Sequence, residues 1–287
     1  MCEQDALVGI IHLPSKPGPL GVLVLIGGPQ YRVGSHRQFV LLSRTLAQAG
    51  FPVFRFDHRG IGDSGGAPRS FQELDDDIEC AIDAFLDSCP DLKQIYILGL
   101  CDAATAASMY AEKDPRVSGL VLLNPWVRPD SGYSKSFLMS YYMERLLNYR
   151  FWRNYFEGNK SIRHSVKSAA KSLFPNTSTQ NINKSTEDSR TSDQQPRTSR
   201  RSSRPRYQAR MLTALQAFHG RTLIILSGND LTAAEFKQLT DSDRRWKRLL
   251  KSSLISCFEM PSANHTFSTR IWRDIVAERT VKWLRSV

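Results

Sequence analysis

The sequence predicts an α/β fold, a mostly parallel sheet with helices on both faces and an inserted helical lid. Three observations lead there. Short aliphatic runs end in loops rich in Gly, Asn or Asp, stretches with helical spacing alternate with them, and the alternation breaks once, where all of the net charge collects.

Taken in order, residues 6–13 alternate weakly and read as an edge strand. Residues 20–26 are continuously aliphatic and end in Gly27-Gly28-Pro29, the pattern of a strand buried on both faces followed by a tight loop. Residues 36–49 place Phe39, Val40, Leu42 and Leu46 at helical spacing, and Gly50 closes that helix. A strand over 52–57 runs into HRGIGDSGG, and a helix follows over 71–89. Strand 95–98, helix 102–112 and strand 117–123 continue the alternation as far as Asn124-Pro125-Trp126. After the break it resumes with strand 222–227, helix 233–250, strand 254–259 and helix 269–284. The organisation expected is a core over residues 1–127 and 220–287, with a lid insertion over 128–219.

The insertion carries its own chemistry. The chain has 39 Lys and Arg against 28 Asp and Glu, a formal charge of +11, and residues 131–220 hold 16 of the bases but only 5 of the acids. The remainder is balanced, which argues against a uniformly nucleic-acid-binding protein. Within the insertion, 176–206 is a Ser/Arg-rich polar stretch in which Ile182 is the only aliphatic residue. Too little apolar surface is available there to offset the entropy of ordering, so disorder is expected. Its bases fit either a tolerated loop expansion or weak contact with an anionic surface.

Other classes fall away on composition. With 287 residues the chain needs no disulfide staples, and its apolar runs are far shorter than the ~18 residues of a membrane-spanning helix. Its start, MCEQDALVGI, lacks the basic and apolar segments of a secretion signal. Five cysteines without a CxxC pair suit free thiols, so a cytoplasmic location is expected. No metal-ligand spacing stands out, and no cofactor is implied.

The candidate chemistry lies at strand ends. Strand 95–98 runs through Gly99-Leu100-Cys101-Asp102-Ala103 directly into a helix, the setting of a nucleophile elbow with Cys in place of Ser. Gly99 and Ala103 are small, as the crowded turn demands. Asp230 follows strand 222–227, and His265 follows strand 254–259, giving the order nucleophile, acid, histidine. His265 is expected to take the Cys101 proton, and Asp230 to fix the imidazole tautomer. Asp130, beyond strand 117–123, is the rival acid. An oxyanion hole is expected from the backbone N–H of Asp102 together with one from the loop after 20–26, Gln30 first and Gly28 second, because Pro29 has no N–H. Trp126, Tyr141, Trp152 and Tyr155 are candidates for lining the substrate pocket. The cluster Asp57, Arg59, Gly60, Gly62, Asp63 and Ser64 reads as structural, and His12, His36, His58, His164 and His219 show no partner pattern.

The segments GGPQYRVGSHRQF, FRFDHRGIGDSGG, GLCDAA, LVLLNPW and SGNDLTAAEF, with the Asn-His pair near the end, resemble the α/β-hydrolase superfamily. More narrowly they resemble the bacterial hydrolases encoded with exosortase A systems, near genes for exopolysaccharide assembly, and the Cys nucleophile is similar to that of dienelactone hydrolases. The resemblance covers about 6–156 and 221 onward, not the Ser/Arg-rich stretch. It implies an α/β-hydrolase fold and a hydrolase of acyl esters or thioesters. The partner expected is a small-molecule, lipid or saccharide acyl substrate, with no specific nucleic acid. Acyl transfer to a sugar or polysaccharide precursor, and non-catalytic binding of an anionic partner, are the alternatives.

Overall fold

The computed structural model describes residues 2–28, 30–128 and 207–287. Seven strands, β1 (Val8–His12), β2 (Leu20–Leu25), β3 (Val53–Asp57), β4 (Gln94–Leu100), β5 (Val117–Leu123), β6 (Arg221–Asn229) and β7 (Ile255–Asn264), form one sheet in the order β1-β3-β2-β4-β5-β6-β7. Only the edge strand β1 is antiparallel, pairing Val8 with Asp57 and His12 with Val53. Every other neighbour is parallel.

The aliphatic runs are continuous because both faces of the sheet are covered, and beyond the β4–β5 register shift at Val117 their residues divide by parity. Leu23 and Leu25, Ile95 and Ile97, Leu120 and Leu122, and Ile224 and Leu226 face one core. Val22 and Val24, Tyr96 and Leu98, Val121 and Leu123, and Leu223 and Ile225 face the other. Around the sheet lie α1 (Gln38–Gln48), α2 (Asp75–Ser88), α3 (Asp102–Tyr110), α4 (Tyr207–Ala217), α5 (Leu231–Ser242), α6 (Arg244–Leu250) and α7 (Arg270–Leu284). Residues of α2 to α6 join the first core, and α1 and α7 close the second.

Two expectations change. The helix read over 233–250 is two helices, because the Asp243 carboxylate accepts the Arg245 N–H at 2.7 Å and starts a new helix after Ser242. Residues 207–217, assigned to the insertion, form α4, whose Met211, Leu212 and Leu215 are buried in the same core as α3. The chain accordingly divides into one unit of 1–132 with 205–287 and another of 133–204, narrower than 128–219. The described residues all belong to the first. Tyr141, Trp152, Tyr155, Asp130, His164 and the 176–206 stretch lie outside them. Among the described residues no helix is long and apolar enough to cross a membrane, and no cluster of His, Cys, Asp and Glu could hold a metal.

Candidate active site

The turn from β4 into α3 fixes Cys101 before any other group is considered. Its N–H donates to the Leu123 carbonyl at 2.9 Å, and its own carbonyl accepts from Ala104 at 3.1 Å and from Trp126 at 3.1 Å. Between these anchors Cys101 adopts φ 64° and ψ −125°, in the region that side-chain-bearing residues avoid. The strain holds because the surroundings leave no room to relax. A Cβ on Gly99 would lie 2.7 Å from the Ala103 backbone, so only glycine fits under the turn.

Asp230 and His265 arrive from β6 and β7. His265 Nδ1 stands 2.9 Å from Asp230 Oδ2, and the carboxylate side chain is nearly buried while the ring is one-third exposed. Burial opposes a charge on His265. Hydrogen bonds to Asp230 and to the Cys101 thiol, with the charges of both, outweigh it and push the imidazole up to about 10. Asp230 and His265 are thus in direct contact, and Cys101 is among the groups that act on the imidazole. Asp230 also caps α5, accepting the N–H groups of Thr232 and Ala233 at 3.2 Å each, a favourable place for negative charge.

A buried polar brace that sequence reasoning missed holds the His265 loop. Asn124, fully buried at φ 44°, donates to Ser227 Oγ at 2.7 Å and to the His265 carbonyl at 2.9 Å, and accepts the Ser227 N–H at 2.8 Å. Ser227 Oγ donates in turn to the Asn264 carbonyl at 2.9 Å, and the Asn264 side chain is paired with Ser268. One side chain thus ties the ends of β5, β6 and β7. The only signal in the sequence is an Asn at a strand end, which by itself says nothing of partners 103 and 141 residues away.

The loop after β2 departs from expectation at Gly28. Its N–H donates to Asp102 Oδ2 at 3.0 Å, so Gly28, the second choice after Gln30, has its donor engaged. The backbone N–H of Asp102, at the first position of α3, has no acceptor among the described residues, as helix geometry requires for a first-turn amide. Gln30 uses its side-chain oxygen to accept from the Ser35 N–H at 3.0 Å, and its backbone N–H has no acceptor among the described residues. The loop is also pinned at Arg32, whose N–H donates to the buried Asp57 at 2.5 Å and whose guanidinium pairs with Asp57 and Asp63. Asp57 thereby holds the loop that bears Gln30, in keeping with its structural reading.

Trp126 lies beside the elbow through its backbone. Its carbonyl accepts from Thr105 Oγ1 at 2.6 Å, and the Arg128 guanidinium sits 4.2 Å above its ring. Arg59 is buried against Asp77, with hydrogen bonds of 2.7 to 3.0 Å, which supports the structural reading of that part of the cluster. Two of the histidines without a sequence pattern of partners are satisfied locally: His12 Nε2 accepts from Arg55 at 3.0 Å, and His58 is buried with Nδ1 3.2 Å from the Arg59 carbonyl. Burial holds His58 below the ordinary histidine range.

Comparison with known proteins agrees with this frame. The ferulic-acid-bound Est1E of Butyrivibrio proteoclasticus is 12% identical with a TM-score of 0.60, covering 100% of this chain and 97% of that one. The monoacylglycerol lipase of Paleococcus ferrophilus is 16% identical with a TM-score of 0.56, covering 98% and 99%. At such identities the likeness concerns the fold. An uncharacterized protein of Pseudomonas aeruginosa, PA2218, is 29% identical over 121 residues, which are 40% of this chain and 32% of that protein. The profile of the family described as serine aminopeptidase, S33 (Hydrolase_4) matches residues 19–265, from the start of β2 to the histidine. The seven-stranded sheet, its strained elbow and this match together show that the chain belongs to the S33 serine aminopeptidase family of α/β hydrolases, with cysteine at its elbow.

Proposed function

We propose that this protein hydrolyses acyl esters or thioesters, with Cys101 as nucleophile, His265 as acid and base, and Asp230 as the group that orients the imidazole. The observation that carries the reading is the 2.9 Å contact of Asp230 with His265 Nδ1, which leaves Nε2 for the Cys101 thiol at a strained elbow. The reacting pair is taken as imidazolium and thiolate, the Cys101 proton having passed to His265.

The thiolate attacks the substrate carbonyl carbon, forming the C–S bond while the C=O π electrons move to oxygen. The backbone N–H groups of Asp102 and Gln30 receive that oxyanion, the first at the positive end of α3. As the oxyanion collapses, the bond to the leaving alcohol or thiol breaks and His265 supplies its proton. Water then attacks the acyl-enzyme, His265 takes one proton from it, and the acid leaves as the thiolate and imidazolium return. Esterase and lipase neighbours support ester chemistry, and the similarity to exosortase-associated hydrolases points to a substrate connected with exopolysaccharide in the cytoplasm.

The test is labelling with a thiol-directed acylating probe, read by mass spectrometry, alongside turnover of aryl acetates. Labelling at Cys101 that disappears in His265→Ala is the expected result. Full turnover in Cys101→Ala would sink the proposal.

A further inference from the structure

The chain leaving β5 passes across the elbow and is gripped again just beyond it. Leu123 and Trp126 hold Cys101 from this one strand end, the first accepting its N–H at 2.9 Å and the second donating to its carbonyl at 3.1 Å. The groups that follow are held from two helices. Thr105, fully buried on α3, donates its hydroxyl to the Trp126 carbonyl at 2.6 Å. The Val127 carbonyl accepts from Gln208 Nε2, and the Arg128 carbonyl accepts from the Tyr207 hydroxyl. Three successive carbonyls, 126 to 128, are therefore each bonded by a side chain, and two of those side chains stand on the first turn of α4.

Water serving these carbonyls would let the segment shift, whereas side chains anchored in the core fix its path. The anchorage is firm at both ends. The Tyr207 ring is buried and meets the Phe71 ring edge-on, with centroids 5.2 Å apart. Val127 shares the first core with Tyr207, Met211, Leu212 and Leu215 of α4. This matters at Cys101, because a side-chain-bearing residue stays at φ 64° and ψ −125° only while its neighbours leave it no alternative. Loss of the Trp126 N–H from the Cys101 carbonyl would let the elbow peptide relax towards an ordinary conformation and turn the thiol from His265.

We propose that Tyr207 and Gln208 are positioning residues for Cys101: by holding the carbonyls of Arg128 and Val127 they keep Trp126 on the elbow, and so keep the thiol aimed at the imidazole. The inference rests on the proposed thiol mechanism and adds to it a clasp that acts through the backbone of residues 126–128.

Alkylation of Cys101 by iodoacetamide at neutral pH, followed by mass spectrometry of the Cys101 peptide, reads the pairing of thiol and imidazole without any substrate. Tyr207→Phe keeps the ring against Phe71 and removes only the hydroxyl, and Gln208→Met keeps the length and removes only the donor. Each should slow alkylation about threefold and the double variant about tenfold, the scale of one and of two neutral hydrogen bonds. Turnover of aryl acetates should lose kcat by the same factors, with KM changed by less than about twofold. Met211→Ala opens a hole under α4 while keeping both hydrogen bonds, which separates positioning from stability. It should lower the melting temperature more than either single clasp variant, yet leave the alkylation rate of the folded protein unchanged. Unchanged or faster alkylation in the double variant would overturn the proposal, as would Met211→Ala slowing it equally. If the double variant fails to fold, the single variants decide by the same readings. If aryl acetates are not turned over, the esterase reading fails while alkylation still decides the clasp.

Discussion

Asp102 Oδ2 accepts the Gly28 N–H at 3.0 Å, and Asp102 Oδ1 accepts the N–H of Ala103 at 3.0 Å, so one carboxylate couples the elbow helix to the loop after β2. The fit is close, since a Cβ on Gly27 would fall 2.0 Å from Oδ1. On the proposed mechanism this carboxylate both holds the loop and stands beside the oxyanion, whose charge it would repel.

Substitution should separate those two effects. Asp102→Asn keeps an acceptor for Gly28 and removes the repulsion, so kcat on aryl acetates should rise severalfold. Asp102→Leu loses the coupling and should lower kcat by about tenfold, the scale of one misplaced oxyanion donor at its lower end. The opposite order would show that the charge itself is needed.

Asp230→Asn should reduce kcat by about 10²- to 10⁴-fold with little change in KM, because His265 loses the partner that sets its tautomer. Asn caps a helix about as well as Asp, so only the charge–dipole part, about 0.3–1 kcal/mol, should be lost from the melting transition. Asp130→Asn is the control, and loss of activity there alone would reassign the acid.

His265 gives a pH signature. Its folded value, about 10, lies above the ordinary 6.5, so its contribution to stability is complete below about pH 6.5 and is lost as pH rises towards 10. The kcat/KM profile should show an alkaline limb near pH 10, where the proton for the leaving group disappears. Asp230→Asn should move that limb towards neutrality, and an unmoved limb would assign it to another group.

Asn124→Ala removes two donors and one acceptor from a sealed site and strands the Ser227 N–H and the His265 carbonyl. A loss of about 2–4 kcal/mol in denaturant unfolding is expected, together with a fall in kcat larger than any change in KM. Asp77→Ala should cost about 3–5 kcal/mol by leaving Arg59 buried without its main partner, yet spare kcat per folded molecule.

The central strands were legible because β2 to β6 are buried on both faces, so residues such as 20–26 and 117–123 stand out as aliphatic runs without reference to anything distant. The positions of Cys101, Asp230 and His265 were legible for a related reason, since parallel strands deliver their carboxyl ends to one side of the sheet. What failed depended on side-chain direction. Gly28 looked like a free donor because nothing in GGPQ shows that the Asp102 carboxylate folds back onto it. Asn124 and Asp57 act across turns and sheet neighbours that no local pattern records. The break at Asp243 was local, but a helical period runs through it undisturbed, and only the cap reveals the stop.

Asp230 belongs at once to the first turn of α5 and to His265. Helix ends fray well below the temperature at which a central sheet gives way. A loosening of that turn would take the carboxylate off the imidazole with the sheet intact, so on the proposed mechanism activity is expected to fall on warming before the sheet melts, and a sturdier core alone would not prevent it.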